Sequence, residues 1–162
     1  MQIPKGYDEL HYEVELGLVI GKTGANIPQS SAMDHVGGYC LALDMTNRGL
    51  QSALKKKGLP WSLAKGFDTA CPVSSYIRPE QINNPEDQGL WLKVNGRMHQ
   101  EGNTKDMIFS LPFLISYMSE VFTLEEGDLI LTGTPEGVGP VKSGDVIQCG
   151  LTNVIEMSFN VQ

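Results

Sequence analysis

Positive charge is scarce in this chain of 162 residues, and long apolar runs are missing from it. Its 12 Lys and Arg residues are outnumbered by 19 Asp and Glu residues, which leaves a net charge of −7. A surface for nucleic acid or for an anionic membrane needs clustered positive charge, so neither partner is predicted. Because no apolar run approaches the roughly 18 to 20 residues of a membrane span, the sequence predicts a soluble globular protein.

Cysteines and nucleophile motifs are also sparse. The three cysteines are odd in number and form no CxxC pair, which argues against a disulfide framework or a zinc ribbon and favours a reducing, intracellular compartment. The sequence has no Gly-x-Ser-x-Gly motif, and its Gly-rich segment at residues 132–139 lacks the Gly-Lys-Ser/Thr ending of a phosphate-binding loop, so serine hydrolases and P-loop nucleotidases are not indicated. The N-terminus shows no targeting segment of the secretory or mitochondrial type.

What is present is a pattern of short strands. From His11 to Ile20, apolar and polar residues alternate, which predicts a strand with one buried face. The apolar run from Tyr39 to Leu43 predicts a second strand, which ends at Asp44. Further strands are predicted at residues 90–94, 97–100, 129–131, 145–149 and 155–161, and an Asn-Gly turn joins the first two of them in a hairpin.

Two helices are also predicted. One runs through residues 50–54, with Asp44 or Thr46 as its N-cap. The other covers residues 113–122 and is mostly apolar, which predicts packing on a sheet. Because strands dominate, the sequence predicts a single β-rich α+β domain over residues 1–162, with mixed or antiparallel sheets.

Three carboxylates are candidates for a metal site. Glu13 and Glu15 lie two residues apart on a predicted strand, so they project from one face with Cα atoms about 6.5 to 7 Å apart. Together with Asp44 they form the oxygen ligand set that Mg²⁺ prefers. The residues alone leave two alternatives open: a solvent-facing pair of glutamates on an amphipathic strand, and Asp44 as a helix cap.

Two further features could meet an anionic substrate. Lys65 stands among apolar residues, where a partly desolvated lysine can stabilise an enolate, although a surface lysine whose ammonium reaches solvent fits the pattern as well. The Gly-rich loop at residues 132–139 can present backbone N–H and hydroxyl groups to a carboxylate.

Four stretches occur in an order that closely resembles the fumarylacetoacetate hydrolase family: His11–Gly17, Leu43–Arg48, Lys56–Asp68 and Leu131–Gly139. The resemblance covers nearly the whole chain. It implies a mixed β-sheet roll of the type found in the C-terminal domain of the family, a homodimer, and a location in the mitochondrion, the cytosol or both.

The resemblance also implies roles for individual residues. Glu13, Glu15 and Asp44 would be the ligands of Mg²⁺, or of Mn²⁺. Arg48, Gln51, Lys65 and Thr134 would face the substrate, and Lys65 would be catalytic. The substrate would be a small 2-oxo dicarboxylic acid or an acylpyruvate, and one stabilised enolate would serve oxaloacetate enol–keto tautomerase, oxaloacetate decarboxylase and acylpyruvate hydrolase activities.

The chain departs from the family's pattern in two places: at Gly49, where close relatives usually carry an acidic residue, and at its front. Such enzymes carry a leading segment with a His and a Glu that activate water, and this chain has no matching motif, so it reads as N-terminally truncated relative to the family. We expect hydrolysis to be severely reduced, since general acid–base catalysis contributes about 100- to 10,000-fold. Two alternatives stay open: a catalytically silent metal-binding homologue or truncated isoform, and hydratase or isomerase chemistry on longer diketo acids.

Overall fold

The apolar alternation that begins near His11 forms two strands rather than the single predicted strand. The computed structural model describes residues 1–7 and 9–162, and in it β1 (Leu10–Tyr12) and β2 (Val14–Ile20) are separated by Glu13. The chain leaves one sheet at Glu13 and enters another, because β1 and β2 pair with different strands. A carboxylate is thereby placed where two sheets meet.

The strands of residues 1–7 and 9–162 form three sheets, and every pair of neighbouring strands is antiparallel. The sheet orders are β4-β1-β8, β3-β2-β7 and β10-β9-β5-β6. The α+β, strand-rich class predicted from the sequence is confirmed. The remaining strands are β3 (Val36–Leu43), β4 (Thr46–Asn47), β5 (Gly89–Val94), β6 (Arg97–Asn103), β7 (Leu129–Leu131), β8 (Gly139–Val141), β9 (Val146–Leu151) and β10 (Ile155–Asn160).

Both faces of β2 are covered, which corrects the prediction of a half-buried strand. Leu16 and Leu18 are fully buried, as the alternation predicts, but Glu15 on the opposite face is only 4% exposed. A solvent-facing Glu13-x-Glu15 pair is therefore wrong for Glu15. The alternation reports which side chains are apolar, and it does not report that a loop covers the polar face.

The helices are α1 (Arg48–Lys56), α2 (Ser62–Lys65) and α3 (Leu111–Ser119), with 3₁₀ segments at Gln29–His35, Pro79–Gln81 and Thr104–Asp106. The predicted cap of α1 was wrong. Asn47 is the N-cap, and its side chain accepts a hydrogen bond from the Leu50 N–H at 2.9 Å. Asp44 is therefore free of the capping role and available to the site.

The second predicted helix ends earlier than its apolar composition suggested. α3 stops at Ser119, and its main packing partner is the 3₁₀ segment Gln29–His35 rather than a sheet. Ser119 ties the end of α3 to the chain just before that segment, because its hydroxyl accepts a hydrogen bond from the Ile27 N–H at 2.8 Å. No helix among the described residues is long and apolar enough to cross a membrane.

The predicted hairpin between β5 and β6 is confirmed. Asn95 and Gly96 both have positive φ angles, of 51° and 78°, as a type I′ turn requires. A bulge between Leu92 and Lys93 then shifts the register, so that Leu92 lies opposite Gln100. The bulge turns a polar side chain of β6 towards the interior.

Candidate active site

The three predicted carboxylates come together at the junction of two sheets. Glu13 lies between β1 and β2, Glu15 lies on β2, and Asp44 follows β3. The Asp44 N–H donates to the Glu13 carbonyl oxygen at 2.9 Å, which ties the end of β3 to this junction. One potential ligand atom from each of the three residues lies within 4.8 Å of the others. Their spacing fits a single shared cation.

Two positively charged side chains contact this cluster. The Lys65 Nζ donates to Glu13 Oε2 at 3.0 Å and to Asp44 Oδ2 at 2.5 Å. The Arg48 Nη2 donates to Glu13 Oε1 at 2.5 Å. Arg48 begins α1 and Lys65 ends α2, so the segment between them folds both cations onto the carboxylates. Among the described residues, three carboxylates against two cations leave one carboxylate without an ion pair.

The surplus charge belongs to Glu15, the most buried of the three acids. Burial raises the pKa of Glu15 from 4.5 to about 7. The backbone N–H of Gly133 and the charge of Lys65 oppose this rise, and the neighbouring Asp44 and Glu13 add to it. The Gly133 N–H donates to Glu15 Oε2 at 2.6 Å. Burial also raises the pKa of Asp44, against the effect of Lys65.

These residues fit a divalent cation. The donor set consists of carboxylate oxygens, which hard cations prefer. A positive ion bound among them would stabilise the surplus negative charge on the buried Glu15. Without that ion, a raised pKa lets Glu15 hold a proton at neutral pH.

The orientation of Arg48 is set by three acceptors. Besides Glu13, its Nη1 donates to Gln51 Oε1 at 2.6 Å and its Nε donates to His11 Nδ1 at 3.4 Å. An arginine has five N–H donors, so two remain for a ligand. Arg48 and Gln51, both predicted to face the substrate, thus lie together beside the carboxylates.

His11 and Glu9 were not predicted as part of the site. His11 Nδ1 can accept from Arg48 only if the ring proton is on Nε2, and Nε2 lies 3.2 Å from Glu9 Oε1. Glu9 thereby favours the tautomer that accepts from Arg48. The strand spacing contained a signal, since His11 lies two residues before Glu13 and shares its parity.

The loop after β7 lies against the carboxylate strand. The Thr132 hydroxyl donates to the Leu16 carbonyl oxygen at 2.8 Å, and Thr134 Oγ1 accepts from the Gln100 side chain at 2.8 Å. Gln100 is fully buried, and no part of the sequence analysis singled it out. A regular hairpin register would put His99 opposite Leu92, so only the bulge reveals that Gln100 points inward.

A cavity of about 450 Å³ borders the same loop. Gly133 and Thr134 contribute to its wall, and Met107, Ile108 and Phe109 supply an apolar side. The three carboxylates do not line it, but the Gly133 N–H reaches Glu15 directly. One loop therefore separates the carboxylate cluster from a space large enough for a small organic acid.

The comparisons with known proteins agree with this architecture. The family model for the fumarylacetoacetate (FAA) hydrolase C-terminal domain matches residues 1–162. The mitochondrial oxaloacetate tautomerase FAHD1 of Mus musculus is 58% identical over 153 residues, which cover 94% of this chain and 69% of that relative. The mitochondrial oxaloacetate decarboxylase of Dictyostelium discoideum is 53% identical over 162 residues, 99% of this chain and 74% of the relative.

A solved structure is similar in three dimensions. The fumarylpyruvate hydrolase from Pseudomonas aeruginosa, in complex with Mn²⁺ and pyruvate, superposes with a TM-score of 0.96 at 37% identity, over 99% of this chain and 69% of that one. The match of the family model to the whole chain and the identity to full-length relatives lead to one conclusion: the chain belongs to the fumarylacetoacetate hydrolase family.

Proposed function

We propose that this chain is a metal-dependent enzyme that interconverts the enol and keto forms of oxaloacetate. The observation that carries the proposal is the convergence of three carboxylates, Arg48 and Lys65 in one cluster. The enzyme names of the relatives support it, since they include both a tautomerase and a decarboxylase of oxaloacetate. Decarboxylation of oxaloacetate and hydrolysis of acylpyruvates are proposed as further outcomes of the same enolate.

Glu13, Glu15 and Asp44 are proposed to hold the cation. A divalent ion bound there supplies Lewis-acid charge that favours the enolate form of a 2-oxo acid. We propose Mg²⁺ as the resident ion and Mn²⁺ as a substitute; the Mn²⁺ complex of the Pseudomonas hydrolase supports the choice of a hard divalent cation.

Arg48, Gln51 and Thr134 are proposed to bind the substrate. The two N–H groups of Arg48 that remain free suit a carboxylate, because a guanidinium pairs with carboxylates in a planar, charge-assisted geometry. Gln51 accepts from Arg48 and so keeps the guanidinium plane in one orientation. Thr134 follows Gly133, whose N–H reaches Glu15, and its hydroxyl can donate to a substrate oxygen.

Lys65 is proposed as the proton carrier. Its ammonium contacts Glu13 and Asp44, and two such contacts leave one of its three N–H groups for a ligand; the side chain is 26% exposed. In the enol-to-keto direction, Lys65 Nζ gives a proton to C3 of the substrate and recovers one from the enol oxygen. The net change is a proton moved from oxygen to carbon, and no water is consumed.

A catalytically silent homologue is not favoured, since the proposed substrate and metal groups are assembled and the relatives carry enzyme names. Chemistry on longer diketo acids remains a second candidate, because the cavity beside Thr134 offers room beyond a four-carbon acid. We also propose that the protein acts as a homodimer. A mitochondrial location is proposed from the names of the relatives.

The test is the rate of enol-to-keto conversion of oxaloacetate, followed by the loss of enol absorbance and corrected for the rate in buffer with the same metal. We expect turnover with Mg²⁺ or Mn²⁺, no turnover in EDTA, and its loss in Glu13→Ala. The exposed Glu126 provides a matched control, and Glu126→Ala should keep the activity. Metal-independent turnover, or turnover that survives in Glu13→Ala, would contradict the proposal.

A further inference from the structure

We propose that Gln100 is a positioning residue that makes the Thr134 hydroxyl a hydrogen-bond donor to the substrate. The inference rests on the proposed function, in which Thr134 binds a substrate oxygen. Gln100 lies on β6, far in sequence from the carboxylates and from the loop, and its side chain is fully buried between them.

The side-chain amide of Gln100 can adopt only one orientation. Its Oε1 lies 3.0 Å from the Val14 N–H, which can only donate. Its Nε2 lies 2.8 Å from the Pro135 carbonyl oxygen, which can only accept. Exchanging the amide oxygen and nitrogen would break both bonds at once, so the assignment follows from the chemistry of the partners.

This orientation determines the role of the Thr134 hydroxyl. The same Nε2 lies 2.8 Å from Thr134 Oγ1, and a primary amide has two N–H groups, one for each of its contacts. Thr134 Oγ1 therefore accepts from Gln100, and the hydroxyl proton points elsewhere. A hydroxyl that accepts one hydrogen bond and has its proton free is suited to donate to an anionic oxygen.

Gln100 also connects this hydroxyl to the proposed metal ligands. Val14, whose N–H it accepts, is the residue between Glu13 and Glu15. A buried amide with all of its hydrogen-bonding groups in use is costly to distort, so it holds the loop and the carboxylate strand at one separation. Gln100 thereby places the donor of Thr134 relative to the proposed cation site.

The experiment uses the full chain with Mn²⁺ and pyruvate as the probe ligand, and calorimetry measures binding. Thr134→Val removes the donor and should weaken pyruvate binding about 10- to 100-fold, the range for a hydrogen bond to a charged group. Thr134→Ser keeps the hydroxyl and should bind within about threefold of the parent chain. Mn²⁺ affinity and the melting temperature are measured for every variant.

Gln100→Glu tests positioning at constant side-chain size: it keeps the acceptor for Val14 but presents an acceptor, instead of a donor, to both Thr134 and the Pro135 carbonyl oxygen. The Thr134 proton should then turn to residue 100, and pyruvate affinity should fall as far as in Thr134→Val. The double variant should lose little more, because both changes remove the same hydrogen bond. If Gln100→Glu does not fold, Gln100→Met replaces it. This variant should also lose pyruvate affinity, and combining it with Thr134→Val should add little to the loss in Thr134→Val alone.

The outcomes distinguish the two levels of the argument. Unchanged pyruvate binding in Thr134→Val would overturn the proposed substrate role of Thr134. Two outcomes would overturn only the positioning role of Gln100. In one, Thr134→Val loses pyruvate affinity while the Gln100 variant keeps it; in the other, the losses of the two single variants add in full in the double variant. Loss of Mn²⁺ affinity in step with pyruvate affinity would likewise overturn it, because it would show that Gln100 acts through the strand alone.

Discussion

Replacement of Glu15 by glutamine should stabilise the protein in the absence of metal. Within the described part of the chain, Glu15 is the one carboxylate of the cluster that forms no ion pair, and burial raises its pKa from 4.5 to about 7. For a carboxyl group whose pKa is raised in the folded state, the protonated form stabilises the fold. This stabilisation is complete below about pH 4.5 and is lost as the pH rises through 7. The raised pKa therefore lowers the free energy of unfolding, relative to a side chain that stays neutral, by about 3 kcal/mol at pH 8 and about 1.5 kcal/mol at pH 5.5.

The glutamine side chain in Glu15→Gln is neutral at every pH, and its amide oxygen can still accept from the Gly133 N–H that now bonds to Glu15. In EDTA at pH 8, Glu15→Gln should therefore melt about 6 to 12 °C above the parent chain, and this advantage should shrink at pH 5.5. Added Mn²⁺ should raise the melting temperature of the parent chain and not that of the variant.

The assay is thermal unfolding followed by circular dichroism, at both pH values, with EDTA and with Mn²⁺. Glu126→Gln is the matched control, because this carboxylate is exposed and should show none of these shifts. A variant that is less stable than the parent chain in EDTA at pH 8, or an advantage that does not depend on pH, would refute the reasoning that Glu15 is a buried, uncompensated charge.

Three further predictions follow from the site and from α1. Lys65→Met should lower tautomerase turnover about 100-fold or more by removing the proton carrier. Lys105→Met removes a lysine from an exposed ion pair and should leave turnover unchanged. Equal rates in the two variants would contradict the role of Lys65. His11→Leu should lower kcat/KM about tenfold because Arg48 loses a hydrogen-bond acceptor. His11→Asn can still accept a hydrogen bond and should recover part of the rate. Equal losses in the two variants would contradict the role of His11 as an acceptor for Arg48. Gly49→Ala should raise the free energy of unfolding, measured in urea, by about 0.5 to 1 kcal/mol, because alanine favours the helix more than glycine does. There is room for the added Cβ, which would meet no atom closer than 3.7 Å. A free energy of unfolding below that of the parent chain would mean that α1 needs glycine.

Local patterns predicted much of the secondary structure. The alternation of apolar residues located β2, the apolar run located β3, and the Asn-Gly pair located the hairpin turn between β5 and β6. These features depend on residues that are neighbours in sequence, so the chain itself contains the signal. The cap of α1 was missed because three polar residues, Asp44, Thr46 and Asn47, precede the helix, and each of these residue types can cap it.

The sequence contained only part of the site. The two-residue spacing of Glu13 and Glu15 predicts a shared face of a strand. Asp44 and Lys65 are candidates from their own sequence surroundings, and the resemblance to the family adds Arg48. Their roles as metal ligands and substrate contacts remain predictions. Neither source indicated that Glu15 is buried, because burial depends on the loop that contributes Gly133, more than a hundred residues later.

The sequence by itself determined the composition of the protein's chemistry: an acidic chain, rich in strands, with paired carboxylates and a lysine among apolar residues. Only the tertiary structure decided which charges balance one another, because Coulomb and hydrogen-bond energies depend on distance through space and not along the chain. It paired Lys65 with Glu13 and Asp44, left Glu15 without a cation, and through a single β-bulge turned Gln100 towards Val14. A register shift of one residue exchanges the two faces of a strand, and the sequence alone does not show where such a shift occurs.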